Sequence, residues 1–190
     1  DTTSPTTPVP TVVQTGSSTA TLSWTTSTDD VAVVSYLYGF STSSDTLPTT
    51  LVSGTTTSVD VTLEDGIWYA SVQAVDAAGN ASLVGTTTSL VVDTGRPVIT
   101  LNGTSTVTLY LHDSYTEQGA TAFDDIYGDI TSSIQMLGSV DTDTVGDYTI
   151  TYVVTDASGN IANPVVRTIH VIADTTSPTT PVPTVVQTGS

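Results

Sequence analysis

The chain has 190 residues, room for one large domain or two β-sandwiches of about 100 residues each, and 37% of them are hydrophobic, enough for a core. Nineteen acidic residues face two basic ones, Arg96 and Arg167, with no lysine and a net charge of −17, so the chain repels phosphate and anionic lipid, which excludes nucleic-acid binding and direct membrane insertion. The absence of cysteine removes disulfides and thiolate metal sites, and no apolar run approaches the ~20 residues of a membrane helix.

In chain order, the first signal is a repeat. Residues 1–17, DTTSPTTPVPTVVQTGS, return letter for letter as residues 174–190, an offset of 173. The chain therefore reads as one period of a duplicated array plus the start of the next. Residues 174–190 are expected to be extended and poorly anchored, because the rest of their domain is not there to cover them. Any secretion signal or anchor is expected outside these residues.

Residues 1–93 form a first candidate module. Apolar and polar residues alternate over 20–24, 34–38 and 69–75, and a β-branched stretch over 87–92 closes it. Residues 94–173 form a second, with strands expected over 98–101, 107–111, 146–155 and 165–172 and an acidic loop over 124–130. In each module the penultimate strand runs into Asp-Ala-x-Gly-Asn, at Asp76 to Asn80 and at Asp156 to Asn160. Proline-marked junctions follow at 93–97 and 174–178. Helical periodicity is lacking, and turn signals recur about every ten residues, so the fold class is all-β: two tandem Ig-like or fibronectin type III-like β-sandwiches in an elongated arrangement.

The first module resembles a fibronectin type III domain through Leu22-x-Trp24, Asp29-Asp30-Val31-x-Val33, and Leu63 six residues before Tyr69, a pair that looks like a tyrosine corner. The second resembles the bacterial Ig-like modules of large surface adhesins through Tyr115-x-Glu117-x-Gly119-Ala120, Asp124-x-x-x-Gly128-Asp129-Ile130-Thr131, Gly146-x-Tyr148-Thr149-Ile150-Thr151-Tyr152 and Asp156-x-x-Gly159-Asn160. These resemblances imply the tandem-repeat extender region of an extracellular, cell-surface adhesin, a setting of cell adhesion and biofilm. They imply no reaction.

In such a sandwich the loop after the second strand and the loop between the last two strands return to the pole where the chain enters. At the second module this gathers Asp124, Asp125 and Asp129 from one loop, Asp156 and Asn160 from the other, and Asp93 from the junction. At the first it gathers Asp29, Asp30, Asp76, Asn80 and Asp1, with Asp174 taking the role of Asp1 for the next repeat. Crowded carboxylates repel one another. Calcium, which accepts six to eight oxygens in flexible geometry, relieves that repulsion better than magnesium. Asp-x-x-Gly-Asn is also a good hairpin turn in its own right, and a turn aspartate can lend its second oxygen to a metal.

The expected role is thus mechanical: calcium ties each linker to the module downstream and stiffens the array. Its partners are the neighbouring repeats of the same chain, in a monomer, with glycans or other cells met through other regions. The alternative is a carbohydrate- or cell-binding module, with Trp68, Tyr127, Tyr36 or Tyr38 as a stacking platform. An enzyme is not expected, since His112 and His170 lack nucleophile or zinc-ligand company.

Overall fold

A computed structural model describes residues 1–176. Of the repeated tail, residues 177–190 lie outside the described residues, so the expectation of a poorly anchored end falls there.

The first unit holds β1 (Pro10–Gln14), β2 (Thr19–Trp24), β3 (Val33–Ser41), β4 (Thr50–Ser53), β5 (Ser58–Thr62), β6 (Gly66–Asp76), β7 (Gly85–Thr86) and β8 (Leu90–Val92). One sheet runs β1-β2-β5 and the facing one β4-β3-β6-β7, with β8 added along the start of β6. Alternation makes this possible. In β2 every second residue, Ala20, Leu22 and Trp24, is buried, and from the facing sheet Tyr36, Ala70, Val72 and Ala74 close the core. Trp24 lies 5.6 Å from Tyr36 and stacks on Tyr38 at 6.4 Å.

Two expectations are corrected here. The closing stretch over 87–92 is not one strand: β7 pairs with Ser71 and Val72, β8 pairs with Gly66 to Trp68, and residues 87–89 separate them. Thr87 makes the break, because its hydroxyl takes the Ala70 N–H at 3.0 Å in place of a ladder carbonyl. The tie into β6 expected from Tyr69 comes from its neighbour instead: the Trp68 indole donates to the Glu64 carbonyl at 2.9 Å.

The second unit holds β9 (Val98–Leu101), β10 (Thr106–Tyr110), β11 (Ala120–Asp124), β12 (Gly128–Asp129), a 3₁₀ turn (Thr131–Ser133), β13 (Gln135–Leu137), β14 (Gly146–Val153) and β15 (Val165–Ile172). Its sheets run β12-β11-β9 and β10-β15-β14-β13, around Ile99, Ala122, Ile150, Tyr152, Val154, Ile169 and Val171. β10 pairs in parallel with β15, so the chain crosses from one sheet to the other over residues 102–105.

A crossing segment cannot satisfy its carbonyls within a sheet. Arg167 does it instead. Its side chain is 1% exposed, and it donates to Thr104 O at 3.0 Å, to Asn102 O at 2.5 Å and to the Glu117 carboxylate. Burial opposes the charge of Glu117, but hydrogen bonds from Tyr115 and the Gly119 N–H, with the Arg167 charge, hold its carboxyl below the usual range. The second unit thus carries a buried ion pair, whereas the core of the first is packed around Trp24 and Tyr36.

β6 and β14 correspond at an offset of 80, which brings Gly66 onto Gly146 and Asp76 onto Asp156. Gly66 and Gly146 open them, and Trp68 and Tyr148 each donate to the carbonyl four residues back, both at 2.9 Å. Both strands lead into the turns that build the site.

Candidate metal centre

Each Asp-Ala-x-Gly-Asn turn closes on itself in the same way. The first aspartate accepts the N–H of the final asparagine at 2.8 Å in both units, and its other oxygen accepts the asparagine side-chain amide at 2.7 Å in the first and 2.9 Å in the second. The main-chain N–H of the aspartate returns to the asparagine carbonyl at 3.1 Å. The glycines adopt φ +90° and +92°, left-handed values open to a residue without Cβ. The hairpin-turn reading of this motif therefore holds in full.

The asparagine amide then reaches further. Asn80 donates to the main-chain carbonyl of Asp1, and Asn160 to that of Asp93, each at 3.3 Å. The accepting residue opens an Asp-Thr-x-x-Pro segment in both cases, with Pro5 and Pro97 buried. Its carboxylate caps the N–H two residues on: Asp1 to Thr3 and Asp93 to Gly95 at 2.9 Å, and Asp174 to Thr176 at 2.8 Å. Local sequence thus fixes a linker conformation that the downstream unit grips.

At the second unit the grip assembles three carboxylates. Asp93, Asp124 and Asp156 are 4%, 2% and 8% exposed, and each offers an oxygen within 4.8 Å of the others. Asp124 sits at the end of β11, where one oxygen accepts the Ile126 and Tyr127 N–H groups at 2.9 Å. The Tyr127 hydroxyl meets Ser158 Oγ at 2.8 Å, joining the turn after β11 to the turn that carries Asp156. Asp93 Oδ2 is buried without any partner among the described residues. Burial, then the charges of Asp124, Asp156 and Asp65, push the Asp93 carboxyl above the usual range against one favourable bond from Gly95. Asp93 thus brings a buried oxygen with no donor to a cluster of three buried carboxylates that holds no positive group.

The other residues expected at this pole stand apart. Asp125 is exposed and outside the cluster. Asp129 points to the 3₁₀ turn, where the Thr131 hydroxyl and its N–H, the latter at 2.9 Å, hold its carboxyl low. Asn160 spends both amide hydrogens on Asp156 and Asp93, which makes it a brace across the joint.

In the first unit Asp1, Asp29 and Asp30 come within 4.8 Å of one another but are exposed or half-buried. Asp76 is buried and turned to its own loop: burial works against its charge, yet the Asn80 side chain and the N–H groups of Asn80, Ala78 and Gly79 hold its pKa low. Asp174 is exposed, and the Thr176 hydroxyl and N–H lower it.

The sequence reading missed two contacts. One is the Tyr127–Ser158 bridge, for which an Asp-Ala-Ser-Gly-Asn turn gives no signal. The other is Asp65, which accepts from both the N–H and hydroxyl of Thr94 at 2.9–3.0 Å, tying the linker to the first unit as well. As for a stacking platform, Tyr36 is wholly buried, Tyr38 stacks on Trp24, and the hydroxyl of Tyr127 is engaged by Ser158. His112 and His170 pair with Asp143 at 2.8 Å and Asp147 at 2.6 Å.

Residues 99–171 match the family described as bacterial surface protein, Ig-like domain. Residues 99–171 are thus similar to the Ig-like domains of bacterial surface proteins, within a chain whose fold is all-β. Among solved structures it is similar to a lipoprotein from Bacteroides thetaiotaomicron, at 30% identity over 43% of this chain and 40% of that one, with a TM-score of 0.38. It is also similar to the fibronectin(III)-like modules of Clostridium thermocellum CbhA, at 14% identity over 87% of this chain and 95% of that one, with a TM-score of 0.36. The chain therefore spans 40% of the length of the first of these. No curated protein matches the sequence. No helix among the described residues is long and apolar enough to cross a membrane.

Proposed function

We propose that this chain is a spacer repeat of an extracellular bacterial surface adhesin, and that calcium bound by Asp93, Asp124 and Asp156 stiffens the joint between its two units. The observation that carries this reading is the unpartnered, buried Asp93 Oδ2 beside two other buried carboxylates. Three carboxylates converging without a cation repel each other across a buried joint. A hard divalent ion that accepts only oxygen ligands removes the repulsion and uses the free lone pairs. The three come from different places: Asp93 from the linker, Asp124 from the end of β11, and Asp156 from the turn after β14. An ion held by all three therefore joins the linker to the downstream unit. The exact copy of residues 1–17 at 174–190 supports the spacer role, since length is set by adding copies.

Thermal unfolding in calcium, magnesium and chelator tests the reading, with Asp93→Asn as the control. Calcium is expected to raise the melting temperature of the second unit more than magnesium does. Asp93→Asn is expected to raise the chelator value, because its amide donates to Asp124 or Asp156, and to abolish the response to calcium. Equal melting in calcium and chelator for the unaltered chain rejects the cation.

A further inference from the structure

The two joints of the period are built from the same linker, and only one of them is closed on both sides. At the joint between the units the grips are crossed. Asp93, which leaves the first unit, is held by Asn160 of the second, while the next residue, Thr94, is held back by Asp65 of the first. β8 stays paired with β6 up to Val92. No residue is left between the last upstream hold and the first downstream one, so the linker is gripped from both units at adjacent residues.

The joint that follows the second unit has the donor but not the acceptor. Its linker repeats the Asp-Thr pair as Asp174-Thr175. The offset of 80 that superposes Gly66 on Gly146, Trp68 on Tyr148 and Asp76 on Asp156 carries Asp65 onto Val145. Val145 is 53% exposed and has no oxygen to accept from a threonine.

Spacing adds a second difference. Gly66 pairs with Val92, two residues before Thr94, whereas Gly146 pairs with Val171, four residues before Thr175. Two more extended residues carry the threonine about 7 Å further from the sheet. Among the described residues the last upstream bond is Leu111 N–H to Ile172 O at 2.8 Å, so the exposed Ala173 intervenes before Asp174. On the downstream side nothing changes, for the grip of Asn80 on the Asp1 carbonyl is the one a following copy offers to Asp174.

We propose that the joints are mechanically unequal: the Asp93–Thr94 joint is locked to both units, and the Asp174–Thr175 joint is a hinge gripped only by the copy of this chain that follows. A tandem array then behaves as two-unit rods that bend once per 173-residue period. The lock contains no metal, so this proposal does not depend on the calcium reading, and its test is run in chelator.

The chain has no native cysteine, which lets single thiols carry spin labels at the exposed strand positions Ser58 and Thr149, as Ser58→Cys and Thr149→Cys. Pulsed electron resonance on the 190-residue chain then reads the inner joint. A chain in which residue 173 is followed by a full copy of residues 1–93, labelled at Thr149 and at the copy of Ser58, reads the outer one. The expected result is a narrow distance peak for the inner joint and a broad distribution for the outer. Asp65→Val, a change at an exposed residue, is expected to abolish the narrow inner peak while the melting temperature of each unit stays put. Equal widths at the two joints overturn the proposal, as does an inner peak that Asp65→Val leaves unchanged.

Discussion

The side-chain amide of Asn160 donates to the main-chain carbonyl of Asp93 across 67 residues of sequence, at the same 3.3 Å that separates the Asn80 amide from the Asp1 carbonyl. One side chain thereby closes its own turn and clamps the incoming linker. Asn160→Ala is expected to cost the second unit about 1–2 kcal/mol, the scale of hydrogen bonds lost with their acceptors left partly buried. It is also expected to loosen the linker. Differential scanning calorimetry resolves the first effect, and hydrogen exchange at Thr94 and Gly95 the second. A variant that melts like the parent with unchanged exchange contradicts the clamp.

Arg167 is a larger test of the second unit. Replacing it with alanine strips the crossing segment of its donors and leaves Glu117 without a counter-charge in a site where that pair is buried. A loss of about 3–5 kcal/mol is expected, the range for breaking one side of a buried pair. Urea titration followed by tyrosine fluorescence measures it, with the transition of the first unit, followed through Trp24, as the internal reference.

Acid sensitivity follows from Glu117. Its carboxyl is held below the usual range in the folded unit, so the unfolded chain binds the proton more readily as pH falls. The contribution of ionised Glu117 to stability is complete above about pH 5 and is lost as pH drops through the depressed value, since an unfolded Glu titrates near pH 4.3. Denaturant midpoints of the second unit between pH 6 and pH 3 are expected to fall, and to fall less steeply in Glu117→Gln. Parallel curves for the two proteins reject Glu117 as the source.

Gly85 lies where β7 passes the proline-rich start of the chain. A Cβ there collides with the Pro8 carbonyl and lies 2.8 Å from Pro10 Cδ, and neither can swing aside as a flexible side chain can. Gly85→Ala is expected to destabilise the first unit by about 1–3 kcal/mol, as overpacking does, without moving the second. Two resolved calorimetric transitions decide it.

Protease resistance is a consequence of having two basic residues in 190. Arg96 is exposed but precedes Pro97, a bond that trypsin cuts poorly, and Arg167 is buried in β15. Native protein is expected to survive trypsin, and cleavage after Arg167 to begin only as the second unit opens, so its rate follows unfolding. Rapid cutting of the native chain after Arg167 contradicts the buried position.

Much of this was legible in the residues. Period-2 alternation marks β2, β3, β6 and β14, because a strand with one face in the core shows its two faces in turn along the chain. The convergence of Asp93, Asp124 and Asp156 also follows from topology, since loops at one pole of a sandwich meet whatever chain enters there. Asp125 and Asp129 share that loop and miss the site, because in a tight turn adjacent residues point in different directions and Asp129 finds a nearer donor in Thr131. The break at Thr87 escaped a pattern in which threonine counts only as a strand former.

By itself the sequence determined the fold class, the exact return of residues 1–17 at 174–190 and the turn conformations, all of which depend on local periodicity or on identity of letters. Only the tertiary structure decided which oxygens face one another, that Asp93 is left without a donor, and that Asp65 reaches forward to Thr94. Those outcomes depend on side-chain direction and on distances between residues 29 to 67 positions apart, and neither quantity is encoded in spacing along the chain.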